Sequence, residues 1–211
     1  MLLHELRHDY GKLSLDEASL DANPARQFEL WLHAAIEASL PEPNAMVLAT
    51  ADSAGIVSTR TVLLKAVTDG GLGFFSNYQS RKGIALLQNP HASATFVWLA
   101  LERQVHVEGV VLRAPPEVSD DYFQSRPRDA QVGAWASRQS AVVRSRAELD
   151  DNFARAESEF AEKSIARPPH WGGYVLHPAR WEFWQGRPGR MHDRIVYERQ
   201  GVEFRRMRLA P

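Results

Sequence analysis

Between residues 44 and 113, and again after residue 171, the chain alternates short apolar stretches with tight-turn residues. Ala45–Thr50 is apolar and stops at the turn-forming run Asp52–Gly55. Ile56–Lys65 is long and β-branched, Thr68–Gly71 is a second turn, and Leu72–Ser76 is a third strand. Ala92–Trp98 and Gln104–Arg113 read as two more. In the latter, Val105, Val107 and Gly109 alternate with Gln104, His106 and Glu108. After residue 171 the expected strands are Trp171–Leu176, Arg180–Gln185, Met191–Arg199 and Val202–Leu209, with Gly186–Gly189 and Gln200-Gly201 as hairpin turns.

Helices punctuate this pattern. Asn23-Pro24 supplies an N-cap and a first-turn proline for a helix whose apolar face is Phe28, Trp31, Leu32, Ala35 and Ile36, closed by Pro41 and Pro43. Ser80 caps a short helix that stops at Asn89-Pro90. Pro115-Pro116 ends the strand run, and helical segments follow around Val118–Ser125 and Asp129–Ser137. Ser145 and Glu148 form a capping box ahead of a helix with Leu149, Phe153, Ala156 and Phe160 on one face. About eight strands and four or five helices, without a repeat, predict a mostly β domain of barrel type with helices packed outside. Residues 1–22 read as a flexible arm, and 23–211 as a single domain.

The 211-residue chain carries a net charge of −1, which argues against a nucleic-acid binder. It lacks a membrane-spanning apolar run, and its charged start is unlike a signal peptide, so a cytoplasmic protein is expected. There is no cysteine, which excludes disulfides, thiolate nucleophiles and cysteine-held metals. No histidine-rich metal spacing occurs, and no metal is expected. Gly-x-Gly-x-x-Gly, P-loop and Gly-x-Ser-x-Gly signatures are missing too. What stands out is arginine. Only Lys12, Lys65, Lys82 and Lys163 among the 25 cationic residues are lysine, and eight arginines fall between Arg180 and Arg208.

Four cationic clusters follow. Ser80-Arg81-Lys82 puts two cations at a helix start, which is unfavourable unless an anion binds there; it reads as a phosphate site or as a solvated turn. Arg60 and Lys65 bracket one strand. Five residues apart, they point to opposite faces and could serve one ligand only through a bulge or different ligand groups, so on their own they read as strand-end surface charges. Arg190, His192 and Arg194, at i, i+2 and i+4 of a strand, are expected on one face beside Trp184, either against an anionic or aromatic group or simply in solvent. Tyr122, Arg126 and Arg128 form either a further anion clamp or ordinary helix-surface charge.

The residues that carry these clusters also carry a resemblance. Arg60–Lys65, Phe74–Lys82, Leu101–Val105, Ser125–Ser140, Trp171–Tyr174, Glu182–Gly186, Arg190–Arg194 and Arg208–Pro211 match, in order, the pyridoxamine 5′-phosphate oxidase family, which the chain resembles over nearly its whole length. The resemblance implies a Greek-key-like split β-barrel, a homodimer, and flavin mononucleotide (FMN) at the subunit interface. It implies FMN contacts from the strand Arg60, Thr61, Val62, Leu63, Leu64 and Lys65, from Phe75, Ser76, Arg81 and Lys82, and from Gln104, Gln139, Ser140, Trp184 and Arg194. Substrate contacts would be Lys65, Tyr122 and Arg126 on the phosphate and Arg190 and His192 over the pyridine ring, with Arg7 and Tyr10 in a covering arm. The implied catalytic pair is Arg190 and His192. The implied reaction oxidises pyridoxamine or pyridoxine 5′-phosphate to pyridoxal 5′-phosphate, with hydride passing to FMN and dioxygen becoming hydrogen peroxide. Three departures stand out: Ala130 replaces a common Ser, Met191 a common Leu and Phe75 a common Tyr. Another split-barrel flavin enzyme and a vitamer-binding protein are the alternatives.

Overall fold

The computed structural model describes residues 9–68 and 70–211. Nine antiparallel strands form one curled sheet. They are β1 (Ala45–Ala51), β2 (Val57–Leu63), β3 (Ala66–Thr68), β4 (Gly71–Asn77), β5 (His91–Trp98), β6 (Arg103–Arg113), β7 (Trp171–Gln185), β8 (Asp193–Gln200) and β9 (Glu203–Leu209). The strand order is β2-β1-β5-β6-β7-β4-β3, and β8 pairs with both β7 and β9. Five helices flank the sheet: α1 (Pro24–Glu37), α2 (Arg81–Gln88), α3 (Pro116–Ser125), α4 (Arg128–Ala136) and α5 (Arg146–Glu159). This is a mostly β split barrel, and no helix among the described residues is long and apolar enough to cross a membrane.

The inner face of the sheet is aliphatic and aromatic. Met46, Leu48, Phe96, Val105, Val107, Phe183 and Ile195 are buried there, and α1 closes the barrel with Phe28, Trp31 and Ala35. The Asn23 side chain accepts from Ala25 N at 2.9 Å, as an N-cap should. A second cluster of Phe123, Val132, Ala156, Ile165 and Trp171 holds α3, α4 and α5 against the start of β7.

Two strands expected after residue 171 are one. β7 runs unbroken through Pro178 and pairs with β4 over Trp171–Leu176 and with β8 over Arg180–Gln185. Its pairing with β6 shifts register between Glu108 and Gly109, leaving Ala179 as the extra residue of a bulge. Gly109 permits this. A Cβ there would lie 2.1 Å from the His177 carbonyl oxygen. The bulge falls where the other edge of β7 changes partner, from β4 before Pro178 to β8 after it. The short strand β3 fills the gap between the expected strand Ile56–Lys65 and the expected turn Thr68–Gly71, and overlaps the latter only at Thr68.

Candidate functional site

A cleft of about 760 Å³ opens between β2, β4, the start of α2 and the α3–α4 corner. Arg60, Lys65, Arg81, Lys82 and Arg126 all line it, and none of its lining residues is acidic. Arg60 and Lys65 reach it together because β2 ends at Leu63, so strand alternation no longer governs Lys65. Thr61, Val62, Leu63, Phe75, Ser76, Tyr122, Gln139 and Ser140 also line it, as does Ala130. Leu64 does not; its side chain is buried in the barrel core.

One end of the cleft is the N-terminus of α2. Ser80 caps the helix through Gly83 N, and Ser140 Oγ accepts from Arg81 N at 3.2 Å. Lys82 is buried. Its Nζ donates to Gln139 Oε1 at 2.8 Å, Ser76 Oγ at 2.9 Å and Ser80 Oγ at 3.2 Å, all neutral acceptors. Burial first, and then the nearby Arg60 guanidinium, push its pKa down to about 8. Arg60 is anchored by Leu48 O, Thr50 Oγ1 and Ser58 Oγ, and its pKa is lowered by burial and then by the charge of Arg81. Positive charge is therefore concentrated at a helix end that already carries a positive partial charge.

The other end is aromatic. Phe75 stacks on Tyr122 with centroids 3.8 Å apart, and Trp171 continues the parallel stack 5.6 Å from Phe75. The Arg126 guanidinium sits 4.6 Å from the Trp171 ring centroid, and its Nη1 is buried without a hydrogen-bond partner. Desolvation lowers its pKa, and the partner a buried guanidinium nitrogen needs is missing from the protein. Arg128 does not join this clamp. It donates instead to Phe160 O and Lys163 O, tying α4 to the end of α5.

The remaining expected site residues form a second group on the outer face of the sheet. Gln104, Trp184 and Arg194 lie directly across from one another on β6, β7 and β8, while their neighbours Val105, Phe183 and Ile195 point into the core. The expected row of Arg190, His192 and Arg194 is corrected: β8 begins at Asp193, so only Arg194 is on the strand. Arg190 is exposed in a tight turn, where it and Gly189 both have φ of 62°. His192 packs on Trp184 with ring centroids 4.7 Å apart, and its Nδ1 accepts from Arg187 N. Tyr10 stands edge-on to Trp184 at 5.6 Å. Arg194 is held by Glu182, whose Oε1 accepts from Arg194 Nε at 2.7 Å while Oε2 accepts from Arg180 at 3.1 Å. Arg7 lies outside the described residues.

Residues 32–160 match the family model described as pyridoxamine 5′-phosphate oxidase, and residues 171–211 match that of the pyridoxine 5′-phosphate oxidase C-terminal dimerisation region. The chain belongs to the pyridoxamine 5′-phosphate oxidase family. The pyridoxine/pyridoxamine 5′-phosphate oxidase of Paraburkholderia phymatum is 53% identical, over 94% of this chain and 93% of its own. That of Salinibacter ruber is 50% identical over 99% of both. Among solved structures, PhzG from Burkholderia lata 383 in complex with tetrahydrophenazine-1-carboxylic acid has a TM-score of 0.89 at 28% identity, covering 96% of this chain and 100% of that one. A pyridoxamine 5′-phosphate oxidase-related, FMN-binding protein from Nostoc punctiforme shares the fold, with a TM-score of 0.68 at 17% identity over 87% of this chain and 96% of that one.

Within this oxidase family framework, three participants had no individual signal in the sequence. Trp171 is the third ring of the aromatic cluster, 5.6 Å from Phe75 and 6.2 Å from Tyr122, Glu182 orients Arg194, and Glu102 binds the N-terminal segment. All three fall inside stretches that carry the family resemblance, but the reason for each is a contact distant in sequence.

Proposed function

We propose that this protein is a cytoplasmic homodimer that oxidises pyridoxamine 5′-phosphate and pyridoxine 5′-phosphate to pyridoxal 5′-phosphate with bound FMN and dioxygen, releasing hydrogen peroxide. One observation carries the proposal: a cleft with five cations, no carboxylate and an orphaned buried guanidinium nitrogen beside a stacked aromatic wall. Such a site suits anionic aromatic molecules, phosphorylated ones in particular. FMN meets that description. Its phosphate would sit at the α2 N-terminus among Arg60, Arg81, Lys82 and Ser140, where every partner of Lys82 is presently neutral. The substrate phosphate would take Arg126 Nη1, with Lys65 and Tyr122 alongside.

The outer-face group needs a second copy. Gln104, Trp184 and Arg194 do not line the cleft, and Trp184 lies 13 residues along β7 from Trp171, which does. Gln104, Trp184 and Arg194 of one protomer would therefore face the cleft of its partner, consistent with the dimerisation region spanning residues 171–211. Bound FMN would supply the two-electron acceptor that a chain without cysteine lacks among its own side chains. The side chains bind and orient. Arg190, on an exposed turn, would cover the substrate ring. His192, with Nδ1 engaged as an acceptor, presents Nε2–H as its donor to a substrate substituent or to a proton in transit. Tyr10 and Trp184 would exclude water from the reacting carbon.

The test is direct. Purified protein should be yellow with a flavin absorption spectrum, and adding pyridoxamine 5′-phosphate should release peroxide. Arg190→Ala should depress turnover far more than FMN retention; loss of FMN with normal activity per bound flavin would reject that assignment. The likeness to PhzG favours a second reading, in which a ring-bearing carboxylic acid occupies the cleft. Peroxide release with such an acid, and none with either vitamer, would select it.

A further inference from the structure

The N-terminal segment is fastened to the outer-face group by a carboxylate with no part in the chemistry above. Glu102 closes the turn between β5 and β6 with a left-handed φ of 55°, and it is 3% exposed. Its Oε2 accepts from two consecutive backbone amides, Gly11 N at 2.9 Å and Lys12 N at 3.0 Å. Lys12 Nζ adds a bond to Ala100 O at 2.8 Å. The backbone oxygen of the same glutamate accepts from Gly186 N at 2.8 Å and Gln185 Nε2 at 3.1 Å. A single residue thus joins the segment before α1, the β5–β6 turn and the end of β7.

Tyr10 precedes the captured amides, and its place is built to fit. A Cβ on Gly186 would fall 2.8 Å from both Cβ and Cγ of Tyr10, so the ring rests directly on the glycine backbone. Trp184 and His192 flank it at 5.6 and 5.7 Å. Burying a carboxylate is costly unless charge-assisted bonds satisfy it, and here the amides of the segment help supply them. The converging pair of N–H groups is a small anion nest. The attachment is therefore specific to residues 11 and 12 and fixes the ring one residue earlier.

We propose that Glu102 is a positioning residue: its carboxylate latches Gly11 and Lys12 and thereby seats Tyr10 against Trp184 and His192. The latch is a statement about this structure alone. Its consequence for catalysis rests on the proposed function, in which Trp184 and His192 border the substrate.

The experiment compares FMN-loaded wild type with Glu102→Ala, Glu102→Gln and Gly186→Ala, reading amide hydrogen exchange at Gly11 and Lys12 together with KM and kcat. Glu102→Ala should speed exchange at those two amides by about tenfold or more, because their acceptor is gone. KM for pyridoxamine 5′-phosphate should rise roughly fivefold or more with FMN content unchanged, since one side of the substrate enclosure is lost. Glu102→Gln keeps an acceptor oxygen without the charge and should fall between; it also serves if the alanine variant does not fold. Gly186→Ala should raise KM similarly while leaving the two amides protected, and combining it with Glu102→Ala should add little. Unchanged exchange in both Glu102 variants would overturn the latch. Accelerated exchange with unchanged KM would overturn the seating of Tyr10 as its purpose. If wild type oxidises neither vitamer, the exchange result still decides the latch, and only the proposed function fails.

Discussion

FMN affinity should fall as pH rises above 8, and Lys82 should be the cause. Without a bound anion, burial and the Arg60 charge hold the Lys82 pKa at about 8, against an ordinary 10.5. A phosphate dianion at the α2 N-terminus favours the ammonium, so binding draws a proton onto Lys82 wherever the free site has lost it. At pH 7.5 about three-quarters of the free site is protonated, and at pH 9.5 about 3%, which weakens FMN about 25-fold between them. That corresponds to ~1.9 kcal/mol. The stability of FMN-free protein should move the other way. Between about 8 and 10.5 the unfolded chain holds the Lys82 proton and the folded chain does not, so stability rises with pH across that window. Fluorescence titration of FMN at several pH values measures the first effect, and urea unfolding of the FMN-free protein measures the second. Lys82→Met should bind more weakly at every pH, with a flat profile. A flat wild-type profile, or a Lys82→Met profile as steep as wild type, would refute the reasoning.

Other consequences follow from particular side chains. Ala130 lines the cleft near Arg126, so Ala130→Ser should tighten substrate binding by about 0.5–1.5 kcal/mol, a few-fold in Kd; an unchanged Kd would show the phosphate already satisfied. Arg126→Met removes a guanidinium whose Nη1 is buried without a partner, so substrate-free protein should gain roughly 1 kcal/mol in urea unfolding while KM rises sharply. Gly109→Ala would drive a Cβ to within 2.1 Å of a backbone oxygen that cannot move aside, costing about 3 kcal/mol or more in thermal unfolding. Arg190 holds a left-handed φ of 62°, so Arg190→Gly should unfold at higher denaturant than Arg190→Ala, by about 1 kcal/mol, with both slow in turnover.

Much of the fold was legible because it is local. Asn23 and Ser80 cap their helices as their side chains require, and Asp52–Gly55 turns where expected, with Gly55 N bonded to Asp52 O. At Ser145 half of the capping box forms: Ser145 Oγ accepts from Glu148 N, but the Glu148 carboxylate takes Arg144 N instead of Ser145 N. What failed depended on partners far along the chain. Two strands were expected, Trp171–Leu176 and Arg180–Gln185, yet β7 passes unbroken through Pro178 because Gly109 on β6 allows a bulge opposite. Arg190 and His192 read as strand residues because their spacing is two, but a glycine turn ends at Arg190 and the strand begins only at Asp193. By residue type and spacing alone, apart from the family resemblance, Arg128 was indistinguishable from Arg126; in the structure Arg128 found carbonyls at the end of α5 and Arg126 Nη1 found nothing.

That contrast is the strongest argument for the cleft. Elsewhere several arginines pair with carboxylates: Arg26 with Asp21, Arg180 with Glu108, Glu182 and Glu198, Arg194 with Glu182, Arg187 and Arg208 with Asp193, Arg208 also with Glu17, Arg167 with Asp120 and Arg146 with Asp150. A chain with 26 acidic residues has enough carboxylates to pair more. Yet among the described residues Arg60, Lys65, Arg81, Lys82 and Arg126 converge from three separate segments on one cleft that none of those carboxylates lines. Mutual repulsion and desolvation both oppose that arrangement, as the lowered pKa values of Arg60, Lys82 and Arg126 register. The hydrogen bonds of Arg60 and Lys82 to neutral groups leave that charge unbalanced, and bound anions would balance it, which is why the placement of these cations supports the proposed phosphate sites.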